Sequence, residues 1–120
     1  MKKETKEWLN KALEDLKVSI HLYKAKLWNP SMFHGQQAVE KAFKALLLER
    51  TDTIIKTHDL VLLANKLKAP ENIVQHTKEL TLAYTYSRYP DMPEIKNIKA
   101  KAKIFLKYAK DVIKWVKKQL

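Results

Sequence analysis

One glycine, Gly35, is present among the 120 residues of this chain. Glycine is the residue that most readily adopts the left-handed backbone angles of tight turns, and only four prolines supply further turn signals. A chain with so little turn-forming material is poorly suited to β-hairpins or long loops. We therefore expect long helices joined by short connections, which is an all-α fold.

Helical periodicity supports this expectation, because apolar residues recur every three or four positions along most of the chain. The pattern predicts five helices, at about residues 4–27, 31–50, 58–68, 70–88 and 93–120. The clearest apolar stripe lies in the last helix and consists of Ile95, Ile98, Ala102, Phe105, Ala109, Val112 and Val116. We interpret residues 1–120 as a single domain, an up-and-down antiparallel bundle of four to five helices.

Polar residues and prolines mark the predicted helix ends. Asn29, Pro30 and Ser31 are expected to end the first helix and to cap the second, because Asn and Ser side chains accept hydrogen bonds from free N–H groups at a helix start. Pro70 and Pro93 suit the first turns of the fourth and fifth helices, where a missing N–H costs little.

Composition excludes several classes of site. The chain has no cysteine, so it has no disulfide and no thiolate chemistry. The four histidines lack metal-ligand spacing, and we expect neither a metal nor a cofactor. A single glycine cannot form a glycine-rich phosphate loop. No apolar run approaches the ~20 residues of a membrane span and no signal-like segment is present, which predicts a cytoplasmic protein outside the membrane.

The net charge of +11 at pH 7 bears on the partners of the protein rather than on its fold. It favours polyanions, meaning a nucleotide, a nucleic acid or an acidic protein. Nearly all basic residues are lysines, and the two arginines are Arg50 and Arg88. Because lysine is a mobile point charge and arginine the usual reader of base edges, this composition favours contact with phosphates over recognition of sequence.

Lysines form a second stripe on the fifth predicted helix, made up of Lys96, Lys99, Lys103, Lys107, Lys110, Lys114 and Lys117. Such a face neutralises phosphates with little sequence preference, or is simply a solvated surface. On the second helix, Gln37, Lys41 and Lys44 share a face with His34. That face is either a contact for phosphate or a base edge, or an ordinary surface or dimer interface.

Two further positions are candidates for ligand contact. His58 opens the third predicted helix, where the alternatives are a cap or a hydrogen bond within the bundle. Arg88 lies in the segment Tyr84-Thr85-Tyr86-Ser87-Arg88-Tyr89-Pro90-Asp91. Tyrosine rings stack on bases and arginine clamps phosphate, but the same residues also suit a core edge with Arg88 paired to Asp91.

Several segments together resemble the HEPN family of helical bundles. The stretch 37–47 is similar to the family's second-helix signature, and His58-Asp59-Leu60 to the start of its third helix. Arg88-Tyr89-Pro90-Asp91 resembles the arginine segment after its fourth helix. The first helix matches at Trp8, Ala12, Asp15 and Leu16. The resemblance extends over nearly the whole chain in the right order.

This resemblance implies a homodimer that binds a nucleotide or RNA, often beside a nucleotidyltransferase partner protein in a toxin–antitoxin system. Many HEPN proteins are metal-independent ribonucleases with an arginine followed, after four to six residues, by a histidine. Here no histidine follows His76. Tyr89 or Asp91 in that role would ordinarily titrate far from neutrality. We therefore expect binding rather than catalysis, with an endoribonuclease toxin and a protein-interaction module as alternatives.

The expected ligand site consists of Gln37, Glu40, Lys41, Lys44, His58, Arg88 and Asp91. In this hypothesis Lys41, Lys44 and Arg88 contact phosphate, while Gln37 and His58 supply hydrogen bonds. Asp91 orients Arg88, and Glu40 orients Lys41. Any catalysis would depend on Arg88.

Overall fold

The computed structural model describes residues 1–88, 90 and 96–120, and the side chains of residues 83–88 lie outside that description. These residues form five helices, which are α1 (Lys3–Lys24), α2 (Trp28–Thr51), α3 (Leu60–Lys66), α4 (Glu71–Arg88) and α5 (Ile98–Gln119). The predicted all-α bundle is confirmed. The molecule measures 40 × 24 × 23 Å.

Helix α2 forms the centre of the bundle, since it contacts all four other helices. More than half of its residues are buried, and Ala38, Val39, Phe43 and Leu46 are fully enclosed. A helix that is apolar over most of its circumference is covered on most sides. By contrast, α1 and α4 make no contact with each other in the described part of the chain.

Interhelix contacts give the direction of the main helices. Along α1 and α2 the residue numbers of contacting pairs change in opposite senses, so this pair is antiparallel. Along α2 and α5 they rise together, so this pair is parallel. The pairs are Thr5–Glu49 and Ser19–Ser31 for α1 and α2, and Phe43–Trp115 and Arg50–Gln119 for α2 and α5.

The start of α2 differs from the prediction. The helix begins at Trp28, so Pro30 lies inside its first turn, where the N–H that proline lacks has no helical acceptor. No side chain caps this end, and the predicted cap by Asn29 and Ser31 is wrong. Ser31 Oγ instead donates to the carbonyl oxygen of Ser19 at 2.8 Å, and Ser19 Oγ donates to that of Ser31 at 2.6 Å. The two hydroxyls connect α1 to α2.

The start of α5 also differs from the prediction. The helix begins at Ile98, after a turn formed by Lys96 and Asn97. Asn97 has a positive φ of 55°, which ends any helical continuation toward the N-terminus. Lys96 therefore lies before the helix and not on its lysine stripe, whereas Pro93 lies outside the described residues.

Helix ends in this chain use left-handed residues other than glycine. Lys26, Asp52 and Lys68 follow α1, α2 and α3 with φ angles of 63°, 58° and 54°. Glycine is the usual residue at such positions, because a side chain there costs roughly 1–2 kcal/mol. The single glycine is used for packing instead: a Cβ on Gly35 would lie 3.2 Å from Ser19 Oγ.

We predict that Lys68→Gly stabilises the protein by about 0.5–1 kcal/mol. The change removes the cost of the left-handed conformation, and this gain exceeds the roughly 0.5–1 kcal/mol that glycine loses through a more flexible unfolded chain. Urea unfolding followed by circular dichroism measures the difference. Lys78→Gly, at an exposed position inside α4, is the matched control and should destabilise by a similar amount. A destabilised Lys68→Gly variant would contradict this reasoning.

Glu49 connects the last turns of α2 to the beginning of the chain. Its Oε1 accepts hydrogen bonds from the backbone N–H of Lys2 and from the Thr5 hydroxyl, both at 3.0 Å. The backbone hydrogen bond has the larger effect, and together they hold the pKa of Glu49 below its ordinary value of 4.5. Folding is thereby linked to ionisation of this carboxyl group.

A carboxylate whose pKa is lowered by folding stabilises the protein above its unfolded-state pKa and loses this contribution as pH falls through the folded-state pKa. We therefore expect the Tm difference between the wild type and Glu49→Gln to be largest near neutrality and to shrink below about pH 4.5. Thermal unfolding over a pH series provides the measurement. Thr5→Val, which removes one of the two donors, should give a smaller pH-dependent difference. A difference that is independent of pH would refute the linkage.

Candidate functional site

Glu40 is a buried carboxylate in the middle of α2. Its Oε2 accepts a hydrogen bond from Lys44 Nζ at 3.1 Å, and its Oε1 lies 2.8 Å from His58 Nδ1. The side chains of Glu40 and Lys44 are only 6% and 9% exposed. Lys44 Nζ also lies 5.8 Å from the centre of the Trp8 ring, within cation–π range. We call these four residues the Glu40 cluster.

The segment between α2 and α3 places His58 at this cluster. The imidazole is 71% exposed, so it contacts the buried carboxylate from the surface of the bundle. The next residue, Asp59, caps α3 by accepting a hydrogen bond from the N–H of Leu62 at 3.0 Å. Of the alternatives for His58, a hydrogen bond within the bundle is therefore observed, and the cap is Asp59.

A second charged group lies between α1 and α2. Asp15 Oδ2 is 2.5 Å from Lys41 Nζ, and Asp15 Oδ1 is 3.5 Å from His34 Nδ1. The His34 nitrogen is buried and its geometry is too poor for a hydrogen bond. Asp15 therefore orients Lys41, and the prediction that Glu40 does so is wrong. Glu40 and Lys41 are adjacent in sequence, but their side chains point about 100° apart around the helix.

The predicted face of α2 is thus divided between two carboxylates. Lys44 forms a buried ion pair with Glu40. Lys41, with 30% of its side chain exposed, is the more accessible cation. Gln37 lies between the two groups, and its amide donates to Gln36 Oε1 at 3.1 Å. Contact between Lys44 and a phosphate would require the ammonium group to leave a buried partner.

Arg88 is the last residue of α4. Its side chain and the whole of Asp91 lie outside the described residues, so their predicted pairing stays a prediction. Lys41 faces α1, and no contact joins α1 to α4 within the described ranges. Within one protomer, these contacts give no support to a site that contains both Lys41 and Arg88.

Asp15 and Trp8 were absent from the predicted ligand site, although both belong to the α1 pattern that resembles the family. The spacing of these two residues from Ala12 indicates that both face the bundle. Ala12 is fully buried, and Trp8 and Asp15 lie four residues before and three residues after it, so both face the bundle. A carboxylate on an inward face requires a cation or hydrogen-bond donors on the neighbouring helix, which α2 supplies.

Two kinds of feature are absent from the described residues. No group of three or more His, Asp or Glu side chains among them is arranged to hold a metal ion. Nor does any helix in this part of the chain have the length and apolar character needed to cross a bilayer.

We predict that Glu40→Gln destabilises the protein by roughly 3–5 kcal/mol, because it leaves the buried Lys44 ammonium without its carboxylate. The double variant Glu40→Gln/Lys44→Met should recover at least about 1 kcal/mol of that loss, since no uncompensated charge remains. Urea unfolding of the four proteins in the double-mutant cycle measures the coupling. Glu14→Gln, in the exposed Lys11–Glu14 pair, should cost less than about 1 kcal/mol. Additive effects at Glu40 and Lys44 would argue against the buried pair.

The sequence profile of the HEPN domain matches residues 5–119. TT1696 from Thermus thermophilus matches with a TM-score of 0.88 and 24% identity, over 99% of this chain and 100% of that one. ST0689, an archaeal HEPN homologue, matches with a TM-score of 0.81 and 27% identity, over 99% and 98% of the two chains.

A third solved structure, the HEPN domain protein TM0613 from Thermotoga maritima, has a TM-score of 0.77 and 22% identity. The match covers 93% of this chain and 95% of that protein. No curated protein matches the sequence.

Proposed function

This chain belongs to the HEPN domain family, and from that membership and its charge we propose that it binds the phosphates of a nucleotide or RNA. The observation that carries this proposal is the excess of positively charged side chains over carboxylates. Of the 22 lysines, five form ion pairs with a carboxylate in the described part of the chain. The remaining excess underlies the net charge of +11 and suits a polyanionic ligand.

We propose binding rather than cleavage because no histidine follows Arg88. The last histidine in the sequence is His76, which precedes Arg88 by twelve residues. Both lie on α4, where that separation corresponds to about 18 Å along the helix axis. His76 is also stacked on Tyr108, with ring centres 4.1 Å apart. General acid–base catalysis requires a group within hydrogen-bonding reach of the reacting atoms.

In the proposed site, Lys41 and Arg88 contact phosphate, while Gln37 and the exposed edge of His58 donate or accept hydrogen bonds. Asp91 orients Arg88. Lys44 takes a different role from the one first expected: it stays with Glu40 and holds the α2 surface in place. This assignment uses the more exposed of the two α2 lysines for the ligand.

The proposed biological unit is a homodimer that acts with a nucleotidyltransferase-like partner in a toxin–antitoxin type of system. The family resemblance is the basis for the partner and the system. Two exposed apolar side chains support the dimer, Leu82 on α4 and Ile104 on α5, at 55% and 46% exposure. A second copy covering these side chains would also approach the end of α4, where Arg88 lies.

We expect Lys41→Ala/Arg88→Ala to weaken binding of ATP and of single-stranded RNA by roughly tenfold or more for each residue, since a hydrogen bond to a charged group contributes about 1.5–3 kcal/mol. Isothermal titration calorimetry with both ligands measures this, and circular dichroism verifies folding. Lys6→Ala/Lys17→Ala removes the same charge from the exposed face of α1 and serves as the control.

Unchanged affinity in the Lys41→Ala/Arg88→Ala variant would remove these residues from the site. An RNA cleavage assay on the same proteins tests the non-catalytic part of the proposal. Cleavage by the wild type that disappears in Arg88→Ala would make the protein a ribonuclease instead, whereas intact RNA agrees with a binding role.

A further inference from the structure

Helix α5 carries most of the uncompensated charge of the protein. Its 22 residues contain eight lysines and one acidic residue, Asp111, and so contribute seven of the eleven net positive charges. All eight lysines are exposed. Helix α1, which has the same length, differs in this respect, because it contains five lysines and four acidic residues. An ordinary solvated surface intersperses both signs, as α1 does.

Six of these lysines lie on one narrow face of α5. At about 100° per residue they fall within an arc of about 80°, and from first to last they extend about 27 Å along the axis. We call them the lysine arc, and they are Lys99, Lys103, Lys107, Lys110, Lys114 and Lys117. In the described part of the chain only Lys107 has a carboxylate partner, Asp111 at 3.2 Å. Repulsion between the others is relieved when phosphates bind.

A recess lies beside the C-terminal half of the lysine arc. It has a volume of about 220 Å³ and is formed between α5 and the first turn of α4. Trp115, Lys114 and Lys118 line it from α5, and Asn72 and Ile73 line it from α4. The indole is held from behind by an edge contact with the buried Phe43 ring, at 6.5 Å between centres. An aromatic ring beside two lysines suits a nucleobase with its phosphates.

Asp111 also lines the recess, but its carboxylate already lies beside Lys107 and His76. Its Oδ2 lies 3.2 Å from Lys107 Nζ and 3.4 Å from His76 Nε2. The carboxylate therefore faces partners on its own helix and on α4, and the two lysines at the recess have no carboxylate partner in the described ranges.

We propose that α5 is the binding track for a single strand of RNA. The phosphates contact the lysine arc, and one unpaired base stacks on Trp115 in the recess. This inference rests on the proposed function in taking RNA as the ligand, but it assigns the strand to a surface that contains neither Lys41 nor Arg88.

The geometry favours a strand over a mononucleotide or a duplex. A nucleotide with up to three adjacent phosphates spans only part of the lysine arc, whereas a strand continues along its length. Bases in a duplex are stacked and paired, so none is free to enter the recess beside Trp115. Lysine rather than arginine along the arc indicates contact with phosphates and little reading of base edges.

The test uses a fluorescently labelled oligouridylate of about twelve nucleotides, within the known range of single-strand site sizes. We expect log K to fall with log salt with a slope of about −3.5 to −4 for the wild type, as five or six neutralised phosphates predict. Lys103→Gln/Lys110→Gln/Lys114→Gln should reduce the magnitude of that slope by about 2. Fluorescence anisotropy over a series of salt concentrations measures both values.

The matched control is Lys6→Gln/Lys17→Gln/Lys78→Gln, which removes the same charge from exposed lysines of α1 and α4. It should leave the slope nearly unchanged. Equal slopes for the α5 variant and the wild type would overturn the α5 track, even if Lys41 and Arg88 prove necessary for binding, in which case the proposed function stands. ATP binding without RNA binding would overturn the track in the same way, and binding of neither ligand would overturn both proposals.

Base stacking has a separate readout. In a Trp8→Phe/Trp28→Phe background, Trp115 is the single remaining tryptophan. Its fluorescence should be quenched in a saturable way by the oligouridylate and not by an abasic strand of the same length. Quenching by neither strand, with anisotropy showing that both bind, would overturn the assignment of a base to the recess.

Discussion

The buried carboxylate of Glu40 is the constraint on which the centre of this bundle depends. Helix α2 contacts every other helix and is therefore largely apolar, yet it carries an ionised group in its interior. Such a group is tolerated only with charged or donating partners. Lys44 supplies one from the next turn, and His58 supplies another from the segment that leads into α3. Because Trp8 lies against the Lys44 ammonium group, the same interaction also involves α1.

This arrangement places two neighbouring lysines of α2 in different environments. Lys44 is enclosed and neutralised, so removing its partner is expected to affect folding first. Lys41 is paired with Asp15 at the edge of the α1–α2 interface and remains partly accessible. Both lysines of α2 are thus paired with carboxylates, whereas among the described residues only Lys107 of the eight α5 lysines is. The α5 lysines that are proposed to bind RNA are therefore distinct from Lys44, which serves the fold, and salt should act mainly on the α5 lysines.

The sequence was sufficient for those features that depend on spacing within one helix. Helix type, the apolar stripe of α5 and the inward face of α1 all follow from intervals of three and four residues. Features that depend on a partner in another helix could not be obtained in this way. Ser31 has the composition of a cap, but its hydroxyl is used by Ser19 across the interface. Glu40 pairs with Lys44 one turn later on the same helix, a spacing visible in the sequence, whereas the pairing of Lys41 with Asp15 depends on the position of α1.

The scarcity of glycine has a related physical consequence. The chain ends three of its helices with lysine or aspartate in a left-handed conformation, a small energetic cost at each site. Its single glycine lies where α1 and α5 come close to α2, near Ser19 Oγ and the Cβ of Ala109. Close helix packing at this point needs the absence of a side chain, while a helix end merely prefers it. Gly35 is therefore expected to tolerate a side chain poorly, because Ser19 and Ala109 would have to move to accommodate it.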